Sequence, residues 1–355
     1  MSGQMASQES GDPGFVYVMT NQDTINAVTV FDRAPDGTLM RAGTFPTGGV
    51  GNGGKANPID PLFSQSALAQ SEDGRFLFAV NANSNDVSVL AVETDGLRLV
   101  AKESSGGVRP VSLTVSEDLL YVLNQGDSTI SGFRIATDGT LSALAGSTQT
   151  LPGGAAAGAS TIQFAPGGSA LVVTELGANM IDVFPIDANG LPGTAVQSAS
   201  NGIAPFGFVF AGKDLLIVTE AGPGTVSSYR LAADGTLSVI TGSAPTTQAA
   251  TCWVMVNSAT QPQYAYVSNA ASSTISGFRI EGDGSLTPLD ADGRTGFTGS
   301  GGPLDNAITA DGRFLYALVA GTDVVVGFEI EDDGSLTPLA GPAGIQTGSQ
   351  GLVAR

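Results

Sequence analysis

The hydrophobic residues of this chain fall into short runs that are separated by polar, glycine-rich turns. The runs recur as seven pairs, and a short polar loop joins the two members of each pair. Each run is rich in β-branched and aromatic residues, which is typical of β-strands connected as antiparallel hairpins. The earlier runs read FVYVMTN, FLFAVN, LLYVLN, ALVVTE, LLIVTE, YAYVSN and FLYALV, and the later runs read VTVFDR, VSVLAV, ISGFRI, IDVFPI, VSSYRL, ISGFRI and VVGFEI.

An Asp-Gly or Asn-Gly dipeptide follows each later run, at intervals of about fifty residues. Gly, Asn and Asp tolerate the positive φ angles that a tight hairpin requires, so each dipeptide predicts a turn into another strand. The dipeptides begin at Asp36, Asp95, Asp138, Asn189, Asp234, Asp283 and Asp333.

A further apolar stretch precedes the earlier run in six of the seven units, so each unit predicts four antiparallel strands. These stretches lie in residues 66–74, 111–118, 160–168, 206–212, 253–261 and 306–312. Seven such units predict an all-β fold, a seven-bladed β-propeller of four-stranded antiparallel blades. The first unit lacks its own first strand. We expect residues 351–355 to insert there, beside residues 14–21, and to close the ring.

Residues 14–355 are therefore expected to form a single propeller domain. The hydrophobic fraction of 42% is enough to bury a large core. Residues 1–13 are polar and lack the apolar centre of a signal peptide, so we expect a flexible N-terminal tail. The compartment stays open: a chain that starts natively at Met1 would be cytoplasmic, and secretion is the alternative.

The 355 residues include 33 acidic and 14 basic side chains and no histidine, for a formal net charge of −19. The absence of histidine excludes a Ser-His-Asp triad, a Cys-His dyad and a His-ligated zinc site. The single cysteine, Cys252, excludes an intrachain disulfide. The negative charge argues against a nucleic-acid partner, and no apolar run is long enough to span a membrane. We expect a monomer.

Three segments carry a family resemblance: Tyr266-Val267-Ser268-Asn269, the Phe-x-Ile-x-x-Asp-Gly-Ser-Leu hairpin at 278–286, and Asp311-Gly312-Arg313-Phe314-Leu315-Tyr316. They resemble the repeat motifs of the lactonase-type seven-bladed propellers, which include bacterial 6-phosphogluconolactonases and fungal carboxymuconate lactonising enzymes. The resemblance covers residues 14–355, and it implies a propeller fold and activity on a lactone.

One further segment matches a family motif that carries an ionisable side chain. Thr174-Glu175-Leu176 resembles the Asn/Thr-Glu-Leu segment that family members carry at the end of a mid-chain strand. Family enzymes typically place an Arg-His pair before a first strand of the following blade, where this chain reads Asn201-Gly202-Ile203-Ala204-Pro205-Phe206. The family's usual acid–base pair is therefore not carried over to this chain.

Six of the seven units end the second strand with Asn or Glu when they are aligned on the aromatic or leucine of the third strand. Propeller geometry puts this position near the mouth of the central channel, where ligands usually bind. We expect Glu175 and Glu220, on neighbouring blades, to act as general acid and base. The asparagines are expected to bind substrate, with turn capping as the alternative; they are Asn21, Asn81, Asn124 and Asn269.

Other polar side chains lie in the loops that precede first strands. Arg109 is expected to bind a substrate carboxylate or lactone carbonyl, or else to pair with an acidic neighbour. Asp60 and Asp305 extend the acidic rim, where Asp305 is expected to bind substrate. Trp253 is expected to stack on a substrate ring or to pack in the core. The long interval at residues 46–63 is a candidate lid over the channel mouth.

The leading hypothesis is a lactonase-like hydrolase that acts on a small, non-phosphorylated lactone or cyclic acid at the channel mouth. A phosphate site usually gathers several donors, and a lone arginine does not supply them. The alternative is a non-catalytic propeller scaffold that binds a protein or a glycan. The expected partner is a small lactone or sugar acid. No cofactor is expected, although the oxygen-rich rim leaves Ca²⁺ or Mg²⁺ as an alternative.

Overall fold

The computed structural model describes residues 14–54, 57 and 59–355. These residues form seven antiparallel sheets, which confirms the predicted all-β, seven-bladed propeller. Helix is limited in the described residues to two 3-10 turns, Gly154–Ala156 and Ala320–Thr322, and no helix there is long and apolar enough to cross a membrane. The predicted tail, residues 1–13, lies outside the described residues.

Each blade uses consecutive strands of the chain, apart from the innermost strand of blade one. Blade one contains β1 (Gly14–Met19), β2 (Ala27–Arg33) and β3 (Leu39–Pro46), and blade two contains β4 (Leu68–Gln70), β5 (Phe76–Asn81), β6 (Asp86–Glu93) and β7 (Gly96–Ser104). Blade three contains β8 (Pro110–Ser116), β9 (Leu119–Asn124), β10 (Thr129–Ile135), β11 (Leu141–Ala143) and β12 (Gln149–Thr150). Blade four contains β13 (Ala159–Phe164), β14 (Ala170–Glu175), β15 (Met180–Pro185) and β16 (Val196–Ala199).

The remaining three blades repeat the same order, with the first strand innermost and the fourth outermost. Blade five contains β17 (Pro205–Ala211), β18 (Leu215–Glu220), β19 (Thr225–Leu231) and β20 (Leu237–Pro245). Blade six contains β21 (Thr251–Asn257), β22 (Gln263–Asn269), β23 (Thr274–Ile280), β24 (Leu286–Pro288) and β25 (Gly296–Phe297). Blade seven contains β26 (Pro303–Ile308), β27 (Phe314–Val319), β28 (Val324–Ile330), β29 (Leu336–Pro338) and β30 (Ala343–Gly344).

The last strand of the chain, β31 (Leu352–Ala354), closes the ring. It pairs antiparallel with β1 and places Leu352 opposite Val18 and Ala354 opposite Val16. The chain end is thus the innermost strand of blade one, as predicted. This pairing covers the edge of β1 that would otherwise present unpaired backbone groups.

The Asp-Gly dipeptides form the predicted turns. Asp138 Oδ1 accepts the backbone N–H of Thr140 at 3.0 Å and its hydroxyl at 2.7 Å, and these bonds hold the pKa of the Asp138 carboxyl below its ordinary value. Gly139 has a φ of 86°, a conformation that a residue with a side chain rarely adopts. The same carboxylate-to-hydroxyl bond recurs at Asp36, Asp234, Asp283 and Asp333.

Tyrosines on three second strands fasten these turns to the neighbouring blade. Each hydroxyl donates a hydrogen bond to the glycine carbonyl of the turn on the next blade around the ring. The pairs are Tyr121–Gly190 (2.7 Å), Tyr266–Gly334 (2.8 Å) and Tyr316–Gly37 (2.7 Å). The last pair crosses the seam between blades seven and one, so it reinforces the closure made by β31.

The seam bond can be tested with Tyr316→Phe. Removing the hydroxyl leaves the buried Gly37 carbonyl without its donor, so we expect the free energy of unfolding to fall by about 1 kcal/mol. Urea denaturation followed by fluorescence measures the change. Tyr264→Phe is the control, because its hydroxyl bonds the Asp332 carbonyl at 3.2 Å in a half-buried position and should matter less. An unchanged unfolding midpoint for Tyr316→Phe would contradict the seam role.

Candidate functional site

The second strands end at the same face of the propeller at which the first strands begin. The strand register places Asn124 opposite Pro110 and Glu220 opposite Pro205. The six side chains predicted to surround the mouth are all fully buried; they are Asn21, Asn81, Asn124, Glu175, Glu220 and Asn269.

Three of the asparagines, Asn81, Asn124 and Asn269, donate to the third strand of their own blade. Asn81 Nδ2 donates to Asp86 Oδ1 at 2.6 Å and to Ser88 Oγ at 2.8 Å. These partners lie five and seven positions later on the third strand, and the hairpin register brings them to the same face of the sheet. The equivalent pairs in blades three and six are Asn124–Ser131 (3.0 Å) and Asn269–Ser276 (2.8 Å).

A glycine of the preceding interblade loop lies directly over this side chain in four blades. A Cβ added to any of these glycines would lie within 2.6 Å of the side chain beneath it, so only glycine permits the approach. The pairs are Gly49 over Asn81, Gly107 over Asn124, Gly153 over Glu175 and Gly202 over Glu220. The Asn and Glu side chains therefore support the loops that frame the mouth.

Glu220 is held by four donors. Its Oε1 accepts hydrogen bonds from the Gly202 N–H at 2.8 Å and from Ser227 Oγ at 2.5 Å. Its Oε2 accepts from Ser243 Oγ at 2.9 Å and from the Thr225 hydroxyl. Both carboxylate oxygens are thus engaged by blade five and by the loop that leads into it.

Glu175 faces a second buried carboxyl group. Its Oε1 accepts the Gly153 N–H at 3.0 Å, while Asp182 Oδ1 accepts a hydrogen bond from Gln197 Nε2 at 3.0 Å. Burial, the hydrogen bond to Glu175 and the charge of Glu175 raise the pKa of Asp182 well above its ordinary value. The two buried carboxyl groups therefore favour a proton on Asp182, while Glu175 Oε2 and Asp182 Oδ2 have no other hydrogen-bond partner among the described residues.

The structure does not bring Glu175 and Glu220 together. Within the described part of the chain, no hydrogen bond or ion pair joins them, and each bonds its own blade and adjacent loop. Their pairing as general acid and base stays a prediction.

Residues 59–66 connect blades one and two and run into the central channel; we call them the axial segment. Ser64 Oγ donates to the Val111 carbonyl of blade three at 2.8 Å. The Gln65 N–H donates to the Ser160 carbonyl of blade four at 3.3 Å. The region predicted as a lid therefore ends inside the channel, where Ser64 and Gln65 are buried.

The side chain of Gln65 reaches the far side of the channel. Its Nε2 donates to the Phe208 carbonyl at 3.0 Å, and its Oε1 accepts the Val254 N–H at 3.0 Å. The indole N–H of Trp253 donates to the Ser64 carbonyl at 2.8 Å. The axial segment is thus bonded to blades three to six, and it divides the channel into a mouth and a lower cavity.

Asp60 lies at the mouth, at the start of the axial segment. Its Oδ1 accepts the Phe63 N–H at 2.9 Å and Gln350 Nε2 at 2.9 Å. Among the described residues, no hydrogen-bond partner occupies its Oδ2. Burial raises the pKa of Asp60 to about 7, against the opposing effect of these hydrogen bonds and of the Arg109 charge.

The charge of the nearby Arg109 guanidinium acts on this carboxyl group, although no ion pair joins the two among the described residues. The guanidinium is half-buried and donates to the Pro61 carbonyl at 3.3 Å and to the side-chain oxygen of Gln125. Burial lowers the pKa of Arg109 and the charge of Asp60 raises it; a guanidinium stays cationic under both influences. The mouth therefore presents a fixed positive charge whose field acts on an ionisable carboxyl group.

Three aromatic rings contact one another in a row that runs from the channel mouth into the core. Phe63, half-exposed, contacts Phe206 edge to face with ring centroids 5.5 Å apart, and Phe206 contacts Trp253 at 5.1 Å. Trp253 is buried beneath Phe206, in the position that its core-packing alternative predicts. Its role in substrate stacking stays a prediction.

Asp305 lies on the lower side of the axial segment. It lines a cavity of about 260 Å³ together with Gln65, Gln163 and Asn306. Its Oδ2 accepts the Gly351 N–H at 3.1 Å, and burial, with a contribution from the charge of Asp60, raises the pKa of Asp305 to about 7. Asp305 and Asp60 are thus two buried carboxyl groups on one channel axis.

No group of three or more Asp, Glu or Cys side chains in residues 14–54, 57 and 59–355 is arranged to hold a metal ion. The asparagines of the predicted oxygen ring bond protein groups; Asn21 Nδ2, for example, donates to Asn52 Oδ1 at 2.9 Å and to the Gly348 carbonyl at 3.1 Å. Binding of Ca²⁺ or Mg²⁺ stays an untested alternative.

The propeller, with a carboxyl group and an arginine at the mouth of its channel, defines a class of closed β-architecture with an axial site. The family model described as a seven-bladed β-propeller lactonase matches residues 10–154 and 215–341. The chain belongs to this lactonase family. No curated protein matches it in sequence.

Solved structures with the same fold cover nearly the whole chain. The periplasmic gluconolactonase of Pseudomonas aeruginosa has a TM-score of 0.76 at 16% identity and covers 97% of this chain and 99% of its own. A Bacteroides fragilis protein proposed to be a 6-phosphogluconolactonase has a TM-score of 0.74 at 20% identity, with 99% and 100% covered. A Lactobacillus plantarum protein has a TM-score of 0.76 at 17% identity, with 96% and 98% covered. At these identities the likeness shows the fold alone.

Sequence reasoning missed the axial segment and its partner Gln350. The Leu62 N–H donates to Gln350 Oε1 at 2.7 Å, and Gln350 Nε2 donates to the Ser64 carbonyl at 2.9 Å. Two signals were present: the first interval between turns is longer than the others, and Gln350 directly precedes the predicted closing strand. Neither signal indicates that the two segments meet on the axis.

Proposed function

We propose that the protein hydrolyses neutral lactones at the channel mouth, with Asp60 as general base and Arg109 as the group that binds the carbonyl oxygen. The proposal rests on one observation, the surroundings of the Asp60 carboxyl group. The Asp60 carboxyl group accepts hydrogen bonds at Oδ1 from the Phe63 N–H and Gln350 Nε2, its Oδ2 has no hydrogen-bond partner among the described residues, and the charge of Arg109 acts on it.

The chemistry needs no histidine. Ionised Asp60 takes a proton from a water molecule while the water oxygen bonds to the lactone carbonyl carbon. The Arg109 guanidinium stabilises the negative charge that develops on the carbonyl oxygen. The bond between that carbon and the ring oxygen then breaks, and the leaving oxygen takes the proton from Asp60. The product is the open hydroxy acid, and Asp60 is again ionised.

The raised pKa of Asp60 suits this role. A general base works best when its pKa lies near the working pH, because it is then ionised and still accepts a proton readily. Asp60, with a pKa of about 7, meets this condition near neutral pH.

The charge of the molecule favours a neutral substrate. A net charge of −19 repels anions, and Arg109 is the cation whose charge acts on Asp60. A neutral lactone is not repelled, whereas its hydroxy-acid product is anionic and is driven away from the mouth. Phosphorylated lactones are disfavoured for the same reason.

The predicted bases Glu175 and Glu220 are less suited by geometry. Both are fully buried, and a glycine lies directly over each carboxyl group. In our proposal they support the loops around the mouth, and their assignment as base remains the alternative that the same series of variants tests.

The proposal is tested by lactone hydrolysis measured between pH 5 and 9, corrected for the spontaneous reaction. We expect kcat/KM to rise with pH through one ionisation near 7, because only ionised Asp60 accepts a proton. Arg109→Gln is expected to lower kcat/KM by about a hundredfold, since the oxyanion loses its cation. Arg134→Gln is the control, because Arg134 bonds Asp118 on the surface.

Two results would overturn the proposal. One is a wild-type protein that hydrolyses no neutral lactone, which would favour the non-catalytic scaffold. The other is an Arg109→Gln variant that is folded and as active as Arg134→Gln.

A further inference from the structure

We infer that the substrate is a lactone that carries an apolar substituent, and that an apolar collar at the mouth binds this substituent. The inference rests on the proposed function, because it names the substrate class of the same site. The collar consists of Phe63, Val108, Leu176 and Ile203.

The collar residues lie on one arc, formed by the axial segment and blades three to five. Val108 directly precedes Arg109, and Leu176 packs in the same apolar cluster as Phe206. Ile203 lies three residues before Phe206, whose ring contacts Phe63. The exposed fractions are 40% for Phe63, 48% for Val108 and 62% for Ile203. Apolar side chains that are grouped around a site, unlike scattered ones, indicate a binding surface.

Phe63 links the collar to the proposed base. Its φ of 59° lies in the left-handed region, which a bulky residue rarely adopts. The same turn directs its N–H to Asp60 Oδ1 at 2.9 Å. One strained turn therefore positions both an aromatic surface and a carboxyl group, a combination expected where the ring itself contributes to binding.

Two polar side chains of the arc, Gln125 and Asn179, are engaged by the protein. Gln125 accepts a hydrogen bond from Arg109 and donates to the Ala159 carbonyl at 2.8 Å. Asn179 Oδ1 accepts the Ala204 N–H at 2.7 Å. This side of the mouth is thus better suited to an alkyl or aryl group than to the hydroxyls of a sugar lactone, which would need free hydrogen-bonding partners.

The inference is tested with three six-membered lactones that share one ring: δ-valerolactone, the same ring with a pentyl group next to the ring oxygen, and glucono-δ-lactone. We expect kcat/KM for the pentyl lactone to exceed that for each of the other two by about tenfold or more, because its chain is removed from water on the collar. A preference for the gluconolactone would overturn the inference and leave the proposed function standing. If the protein hydrolyses none of the three lactones, the proposed function is wrong.

Phe63→Asn tests the collar directly. Asparagine adopts positive φ more readily than phenylalanine, so the turn and its N–H are retained while the ring is lost. We expect the ratio of kcat/KM for the pentyl lactone over δ-valerolactone to fall about tenfold, mainly through KM. Ile203→Asn, on the exposed rim, should lower the ratio in the same direction. Phe297→Ala removes an exposed ring from blade six and is the matched control.

Binding can also be measured without turnover. Trp253 is the only tryptophan in the chain, and it contacts Phe206 beneath Phe63. The δ-lactam with the same pentyl group, which is not hydrolysed under these conditions, should change Trp253 fluorescence at lower concentration than the unsubstituted δ-lactam. Equal affinities for the two lactams, or an unchanged ratio in folded Phe63→Asn and Ile203→Asn, would overturn the inference.

Discussion

Asp60→Asn is expected to lower kcat for lactone hydrolysis at pH 8 by about a thousandfold, within the range that general-base catalysis contributes. The side-chain oxygen of asparagine can still accept the hydrogen bonds from the Phe63 N–H and Gln350 Nε2, so the axial segment should keep its position. The variant loses the group that accepts a proton from water, while the Arg109 guanidinium remains. The steady-state kinetics of the substrate series should therefore show a large loss in kcat and a small change in KM.

The same measurement decides between the candidate bases. Glu175→Gln and Glu220→Gln serve as comparisons, because both alter buried carboxyl groups that contact the interblade loops. We expect each to keep activity far above that of Asp60→Asn when the folded fraction is equal. If a folded Glu175→Gln variant is inactive and Asp60→Asn is active, the general base is Glu175, as the sequence predicts, and not Asp60.

Raising the pH from 5 to 8 is expected to lower the free energy of unfolding by several kcal/mol, because each buried carboxyl group that stays protonated only in the folded state costs about 1.4 kcal/mol per pH unit. Burial raises the pKa of Asp60 and of Asp305 to about 7, and it raises the pKa of Asp182 in the same direction. The folded protein therefore holds protons that the unfolded chain has already released above about pH 4. The resulting stability is fully present below that pH and is lost as the pH rises through about 7.

The opposite dependence holds in acid. The pKa of turn aspartates such as Asp138 is lowered by hydrogen bonds in the folded state. Their contribution is present above the pKa of the unfolded chain and is lost as the pH falls through their lower folded-state values. Stability should therefore be greatest in acidic solution, at about pH 4, where the two effects balance.

Urea unfolding at a series of pH values, followed through Trp253 fluorescence, measures this dependence. Asp305→Asn should reduce the loss of stability between pH 5 and 8, because an amide at that position has no proton to release. Glu103→Gln, on an exposed strand, changes the net charge equally and is the control. If the two variants respond alike, general charge repulsion rather than buried carboxyl groups would account for the pH dependence.

The repeat made the architecture predictable. Asp-Gly turns require positive φ wherever they occur, and Gly139, with its φ of 86°, is one example. Counting first strands against second strands also predicted that the chain end would complete blade one, as the pairing of Leu352 with Val18 confirms. These features depend on residues close in sequence or on a simple count.

The placement of the carboxyl groups was harder to predict. Alignment of the blades correctly placed Glu175 and Glu220 at the ends of second strands. A side chain at that position can point into the channel or lie under a loop, and the alignment does not distinguish the two. Gly153 and Gly202 lie directly over the two carboxyl groups, and this close approach depends on loops that enter from the preceding blade. Asp60 was recognised as part of the acidic rim, without any indication that Gln350 would hold it.

The strands, the turns, the number of blades and the closing strand could all be predicted from the residues, because local backbone preferences and a regular period are enough to specify them. The polar groups that meet on the axis could not be predicted in this way, because they become neighbours only in the folded ring. Gln65 and Gln350 act through partners that lie far away in the chain, at the carbonyls of Phe208 and Ser64. Such contacts exist only after the ring has closed, since closure brings the inner ends of distant blades within hydrogen-bonding distance of one segment.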